Sequence, residues 1–247
     1  MSDKPRSYKW AEFTDEIQRL ENQAKAIESV LNNELETLKL KPKMKTLDAG
    51  CGTGSVTRTM AKIIEPGIAY GIDFNSLYID AAKKLAENEG IKNIKFELQN
   101  VDDLKFDNDF FDLSYCRLVL MHVQNPVKSI EEMIRVTKKG GIVSASDTDD
   151  GGLMAFPQCQ KFFELWHKFG QWRKEEGENR YVGMELYSIF NSAGLSSIKI
   201  YPSTNYATQE TPSLLEGYVS IYRNGLRNCK KLMIENDWAT ENDFEEM

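Results

Sequence analysis

Leu47-Asp48-Ala49-Gly50-Cys51-Gly52-Thr53-Gly54-Ser55 is the stretch that decides the fold. A short apolar run enters it, glycines alternate through it, and an amphipathic segment leaves it. Glycine tolerates positive φ and has no Cβ, so a strand-to-helix turn built this way lets the backbone approach a ligand closely. The helix that follows offers unpaired N–H groups and the positive end of its dipole. The spacing is GxGxG. A dinucleotide fingerprint would place its third glycine one residue later, where Ser55 stands, and no GKS or GKT follows as in a phosphate-binding loop. Asp48 at the mouth of the turn would repel a pyrophosphate but suits an ammonium group. The stretch therefore points to a nucleoside that carries an amino acid.

Outward from this turn the chain alternates short apolar runs with amphipathic ones. Strands are expected at 44–49, 68–74, 94–98, 111–118 and 142–146. Helices are expected at 56–64, at 77–89 before Gly90, and from Pro126 to Lys139 before Gly140-Gly141. Such alternation implies a parallel sheet with right-handed crossovers and helices on both faces. Upstream, residues 11–38 read as helix, with apolar positions at spacings of three and four from Phe13 to Leu38, Thr14 as a candidate cap and Pro42 closing the segment. Downstream of Asp147 the rhythm breaks. An aromatic-rich helix is expected over 158–175, another over 184–193, a sixth strand over 197–201, and helix from Glu210 to Glu235. The acidic end, 241–247, reads as uncovered, and no seventh strand is found. The favoured expectation is a chain cut short of that strand, the alternative a lid that closes the sheet edge. The layout is then an N-terminal helical cap (1–40), an α/β core (41–150), a lid insertion (151–182) and a C-terminal part (183–247).

Composition narrows the function classes. With 41% hydrophobic and 28% charged residues the chain has the make-up of an ordinary globular protein. It has no apolar run long enough to span a membrane and no secretory signal at its polar start, so a cytoplasmic location is expected. Cys51, Cys116, Cys159 and Cys229 are scattered, without a CxxC pair or a histidine at zinc-ligand spacing, so structural thiols and no metal are expected. A net charge of −7 argues against nucleic acid as a partner, since phosphate binding wants a basic face.

A second acidic landmark is Gly71-Ile72-Asp73-Phe74-Asn75 at the end of the second strand. An acidic residue about 20 positions beyond a glycine turn is placed to accept hydrogen bonds from ribose hydroxyls. Asp73 could instead cap the next helix, although Asn75 is better placed to do so. Taken with the LDAGCGTGS turn, the stretch FDLSYCRLVLMHVQNP and the helix ending in VTKKGG, these features make residues 44–147 resemble the core of the class I S-adenosylmethionine-dependent methyltransferases. The likeness is closest to the small-molecule enzymes of ubiquinone and menaquinone biosynthesis. The resemblance implies an α/β, Rossmann-like, doubly wound and mainly parallel sheet, with the N-terminal helical cap and a helical lid after strand five. It implies S-adenosylmethionine as cofactor and a small-molecule methyl acceptor that the sequence does not identify.

Residue by residue, the resemblance places Asp48, Gly50, Cys51, Gly52 and Gly54 around the methionine portion, Asp73 at the ribose and Phe74 against the adenine. Asn100 stands where the family usually has an acidic residue at the adenine amino group. Its amide oxygen can still accept that bond, with Val101 beside it and Asp102 able to share the role. Cys116 and Arg117 match positions on the methionine side, and His122 matches the family's usual histidine. Arg19 and Gln23, one turn apart, resemble a cap that faces the cofactor, with Tyr8 reaching in from the preceding segment; an exposed charged face is the alternative. Lys105 replaces a common proline.

Because the sulfonium is already activated, alignment of the acceptor matters more than a base. Asp147, His122 and His167 are the only candidates for a catalytic role, and none is distinguished by its spacing. Asp147, Asp149 and Asp150 follow strand five, at the edge where ligands bind in open α/β sheets. Phe156, Phe162, Trp166, Phe169 and Trp172 are expected mainly to dock the lid helix, with one or two facing an apolar acceptor. Two other functions remain open at this point. One is a methyltransferase-like binding or regulatory protein without catalysis. The other is a nicotinamide-dependent oxidoreductase, against which the GxGxG spacing and the lack of a YxxxK pair both speak.

Overall fold

The structure is a computed structural model, and it describes residues 16–26 and 28–246. Two helices, α1 (Glu16–Ala26) and α2 (Glu28–Thr37), lead into β1 (Lys45–Ala49), and α3 (Ser55–Ile64) follows directly on the glycine turn. Next come β2 (Ile68–Asp73), α4 (Ser76–Asn88), β3 (Ile94–Leu98), β4 (Phe111–Arg117), α5 (Pro126–Val136) and β5 (Thr137–Ser146). The five strands pair in parallel in the order β3-β2-β1-β4-β5. The strand order therefore reverses between β1 and β4, and ligands of open α/β sheets bind outside the carboxyl ends of the strands at such a point. The expected doubly wound sheet is what the chain forms.

Local chemistry explains these elements. Leu47 and Ala49 of β1 and Ile72 of β2 are wholly buried, as strands covered on both faces require. The inner side of α3 buries Met60, Ala61 and Ile64, on which Leu31, Leu35 and Leu38 of the N-terminal segment pack. Asn75 caps α4 through its side-chain oxygen, which accepts the Leu77 N–H at 2.9 Å. Asn125 caps α5 in the same way, with Pro126 opening the helix.

Four sequence-based expectations are corrected. The helix expected to run to Lys139 ends at Val136. The Thr137 hydroxyl is held against Met133 O at 2.6 Å and Ser114 Oγ at 2.7 Å, so Thr137 turns extended and pairs with Phe111. A register shift then uses Gly140 at φ 79° and Gly141, where a Cβ would meet Asp112 O at 2.8 Å. No sixth strand forms over 197–201 among the described residues. Ile198 packs on the core, but Ile200 and Tyr201 are half-exposed or more and Pro202 removes a donor, so the alternation lacks a second face to cover. The acidic end is not bare. α9 (Glu241–Glu245) is closed by a Thr240–Asp243 capping box and lies on two further helices, α6 (Gln160–Glu175) and α8 (Pro212–Glu235), which flank α7 (Leu186–Ser192) in sequence. Lys168–Asp243 and Lys230–Glu241 ion pairs hold it there. The helix expected over 184–193 starts instead as a 3-10 turn, Val182–Glu185, ahead of α7.

α6, α8 and α9 share a second core of Leu165, Trp166, Phe169, Trp172, Leu226, Cys229 and Met233. This helical layer stands over the carboxyl end of the sheet, and α1 contacts α8 from the other side.

Candidate active site

The glycine turn is built by backbone pairing. Ala49 lies opposite Ile72 in the β1–β2 ladder, and the N–H groups of Gly50 and Cys51 both donate to Ile72 O at 2.8 Å. Gly50, Gly52 and Gly54 have φ of 79°, 52° and 78°, in the left-handed region that an L side chain resists. Their neighbours differ. A Cβ on Gly50 would strike Val119 and one on Gly54 would strike Phe96, whereas one on Gly52 would meet nothing within 4 Å. Gly54 thus serves close packing of α3 on the sheet, and Gly52 borders open space. The Asp73 carboxylate accepts from Gly52 N and Asn75 N, both at 2.9 Å, which fixes it beside the turn.

That open space is a cavity of about 1120 Å³. Gly50, Cys51, Gly52, Asp73, Phe74, Asn100 and Val101 line one end, with Arg117 and His122 nearby and Arg19 and Gln23 of α1 above. Three residues expected there are set back from the wall. Asp48 is buried behind the turn with its Oδ2 held by Thr57 Oγ1 at 2.5 Å, Gly54 is packed as described, and Cys116 is wholly buried in the strand. His167 is exposed on α6 and lies off the cavity, 3.0 Å from Gln171. Tyr8 and Thr14 fall outside the described residues.

Burial sets the electrostatics. It pushes the Asp48 carboxyl up to about 7, against the Thr57 hydrogen bond, and raises the Asp73 carboxyl as well. It pushes the Asp147 carboxyl up to about 6, although Val119 N and Leu120 N donate to its Oδ2. His122 is driven down to about 3 by burial, so it is neutral at pH 7. Its Nδ1 lies 3.1 Å from Glu178, which itself pairs with the buried Arg173. Burial raises the thiols of Cys51 and Cys116 as well, so neither is an activated nucleophile. Among the described residues no group of histidine, cysteine or acidic side chains is gathered as a metal site, and no helix is long and apolar enough to cross a membrane.

Several contacts had no local signature in the sequence. Glu21 of α1 accepts from Thr53 Oγ1 at 2.6 Å and from Arg58 Nη2 at 2.8 Å, while Arg58 Nη1 donates to Thr53 O. The cap helix is thereby clamped to the glycine turn. Glu34 of α2 accepts from Tyr115 OH, Arg117 Nε and Ser146 Oγ, at 2.8, 2.8 and 3.0 Å, tying α2 to the ends of β4 and β5. Asn100 Oδ1 accepts from Asp102 N at 3.0 Å and Asp102 in turn receives the Ser129 hydroxyl, so Asp102 is committed to α5. At the far end of the cavity stand Trp166, Phe169, Tyr222 and an Arg180–Asp150 pair.

A glycine turn, a fixed acidic residue on the neighbouring strand and a cavity at the reversal point define the nucleoside-binding class of α/β proteins, and the comparisons specify which. Over residues 40–194 the chain matches the family described as methyltransferase domain, and it belongs to that family, within the class I S-adenosylmethionine-dependent group. It is 28% identical to the demethylmenaquinone methyltransferase of Bacillus mycoides (strain KBAB4) over 184 residues, 69% of this chain and 77% of that one. It is also 28% identical to that of Geobacillus stearothermophilus over 173 residues, 65% of this chain and 74% of that one. An S-adenosylmethionine-dependent methyltransferase of Aquifex aeolicus shares the fold with a TM-score of 0.57 at 19% identity, covering 74% of this chain and 89% of its own. A Methanococcus maripaludis protein assigned to the same class does so at 0.58 and 18%, covering 82% and 92%. Family membership sets aside the nicotinamide-dependent alternative.

Proposed function

We propose that the protein transfers the methyl group of S-adenosylmethionine to a small organic acceptor held in the same cavity. One observation carries this reading: the open Gly52 turn and the Asp73 carboxylate meet on a single cavity at the reversal point of the sheet. The Asp73 oxygens accept backbone N–H groups on the side of the turn and retain acceptor capacity, which suits the hydroxyls of a ribose. Phe74, about half-exposed at the rim, offers its face to an adenine. Asn100 retains acceptor capacity and its amide N–H groups for the purine edge. Arg19, Gln23 and Arg117 face the end where an amino-acid carboxylate would lie. Asp48, one layer behind the turn, opposes an ammonium group through the low-dielectric wall rather than by contact.

The bound cofactor would supply an electrophilic methyl group, so the protein's part is to fix the acceptor in line with it and exclude water. The helices α1, α6 and α8 above the sheet perform that exclusion. A proton on the acceptor needs a local base only if the acceptor is not already nucleophilic. Neutral His122 on the cavity wall and Asp147 behind it are the titratable groups nearest to that task.

Incubation with methyl-labelled S-adenosylmethionine and a metabolite extract tests the activity. The expected result is label in a small-molecule fraction, with none in protein or nucleic acid. Tight cofactor binding with no label in any fraction would favour a regulatory protein without catalysis.

A further inference from the structure

The outermost strands of the sheet, β3 and β5, differ at their outer edges. Such an edge offers N–H and C=O groups to another strand unless something blunts it. β5 is blunted. Its pairing with β4 shifts register between Phe111 and Leu113, Gly140 takes φ 79° there, and Lys138 and Lys139 are exposed on it. β3 pairs with β2 residue for residue from Ile94 to Leu98, without a register shift, and Lys95 is its one basic residue.

The bonds to β2 fix which groups of β3 face outward. Ala69 N donates to Asn93 O and Gln99 N to Asp73 O, both at 3.0 Å. In a parallel ladder every second residue of a strand makes such bonds, so Lys95 and Glu97 also turn theirs inward. Ile94, Phe96 and Leu98 then point N–H and C=O away from the sheet. The side chains divide between the two faces in the same alternation. Ile94 and Phe96 pack on Ile79, Ala82 and Ala86 of α4, and Leu98 follows on that face, 58% exposed. Lys95 lies on the other face, 5.3 Å from the Tyr70 ring, with Glu97, whose Oε2 accepts from Gln99 Nε2 at 2.7 Å.

Self-pairing of this edge favours one register. With strands antiparallel and a two-fold axis at Phe96, Ile94 lies opposite Leu98 of the partner subunit, and the outward N–H and C=O groups all find partners. Lys95 then lies opposite Glu97 of the partner subunit, and the symmetry repeats that contact. These are the closely spaced pairs of an antiparallel ladder, where opposite charges attract and like charges destabilise. An axis at Lys95 would oppose two lysines, and one at Glu97 two glutamates. Ile94-Lys95-Phe96-Glu97-Leu98 is thus complementary to its own reverse in charge and in apolar character.

We propose that two copies of this chain associate through antiparallel pairing of their β3 edges, centred on Phe96 and fixed by reciprocal Lys95–Glu97 contacts. The two sheets become one, and the seam ends beside Asp73, which pairs with Leu98 in the β2–β3 register. A short strand and its flanks make a small interface, so the dimer is weak and concentration-dependent. This inference does not depend on methyl transfer.

Sedimentation equilibrium of the full-length protein across the micromolar range tests it, together with hydrogen exchange at the same concentrations. The wild type is expected to show a monomer–dimer equilibrium, with the amides of Ile94, Phe96 and Leu98 exchanging more slowly as the dimer fills. Lys95→Glu alone and Glu97→Lys alone each set like charges across the seam and are expected to weaken the dimer about tenfold. Mixing the two variants restores opposite charges in both contacts, and a heterodimer about as tight as the wild-type dimer is expected. The exchange measurement on the wild type needs no variant, so it decides the matter if one of them folds poorly. A monomer at every concentration, a dimer indifferent to both reversals, or a mixture of cooperatively folding variants no tighter than its components would overturn the proposal. So would a dimer in which residues 94–98 exchange as they do in the monomer.

Discussion

Both oxygens of Asp73 accept backbone N–H groups, from Gly52 and Asn75, so the carboxylate is fixed before any ligand arrives. Asp48 has a different setting. It is 2% exposed and bonded to Thr57, and its carboxyl is pushed up to about 7 from the ordinary 3.8. Between those values the folded protein holds a proton that the unfolded chain gives up. The associated stability is complete below the unfolded value and is lost as pH rises through about 7. Asp48→Asn keeps an acceptor for the Thr57 hydroxyl and removes that loss. Denaturant titrations are expected to show the variant gaining on the wild type by about 1 kcal/mol or more between acidic pH and pH 8. An unchanged difference would mean that the carboxyl is not held as described. At this scale the sequence was readable where position follows from spacing: Gly50, Gly52 and Asp73 meet on the cavity as their spacing predicts. It was not readable where depth decides. That Asp48 and Gly54 sit behind the wall depends on how α3 packs against β1, β2 and β3. The depth of Cys116 depends on the core around β4, and no local pattern carries either.

The cap and lid helices are held by contacts between residues far apart in sequence. Glu21 joins α1 to Thr53 and Arg58 across the glycine turn. Glu21→Gln weakens that clamp without removing bulk, and S-adenosylhomocysteine affinity is expected to fall about fivefold by calorimetry while the melting temperature changes little. Unchanged affinity would show that α1 does not govern the site. Beneath the lid, Arg173 and Glu178 form a buried pair against His122. Arg173→Met strands the carboxylate, and a loss of about 3 kcal/mol in unfolding free energy is expected. The strands and helices of the core were legible because each has its own period and stop. The exceptions are physical. The end of α5 is set by the Thr137 hydroxyl bonds, and the alternation at 197–201 has no partner edge to pair with. α9 depends on Lys168 and Lys230 of other helices.

Over the whole molecule, the β3-β2-β1-β4-β5 order opens one crevice at the carboxyl ends of β1 and β4, and helices from both ends of the chain close over it. The sheet and its binding edge follow from the alternation of strands and helices. The Arg180–Asp150 pair and the packing of Trp166 against Tyr222 come from meetings between α6, α8 and the loop after β5, so no single stretch announces them. The central claim is that this crevice holds S-adenosylmethionine through Asp73 and the glycine turn. Calorimetry of S-adenosylhomocysteine against the wild type and Asp73→Ala tests it most directly. One site per chain is predicted for the wild type, and affinity reduced about tenfold or more in a variant that still unfolds cooperatively. No heat with the wild type, or equal affinity in the two proteins, would contradict it.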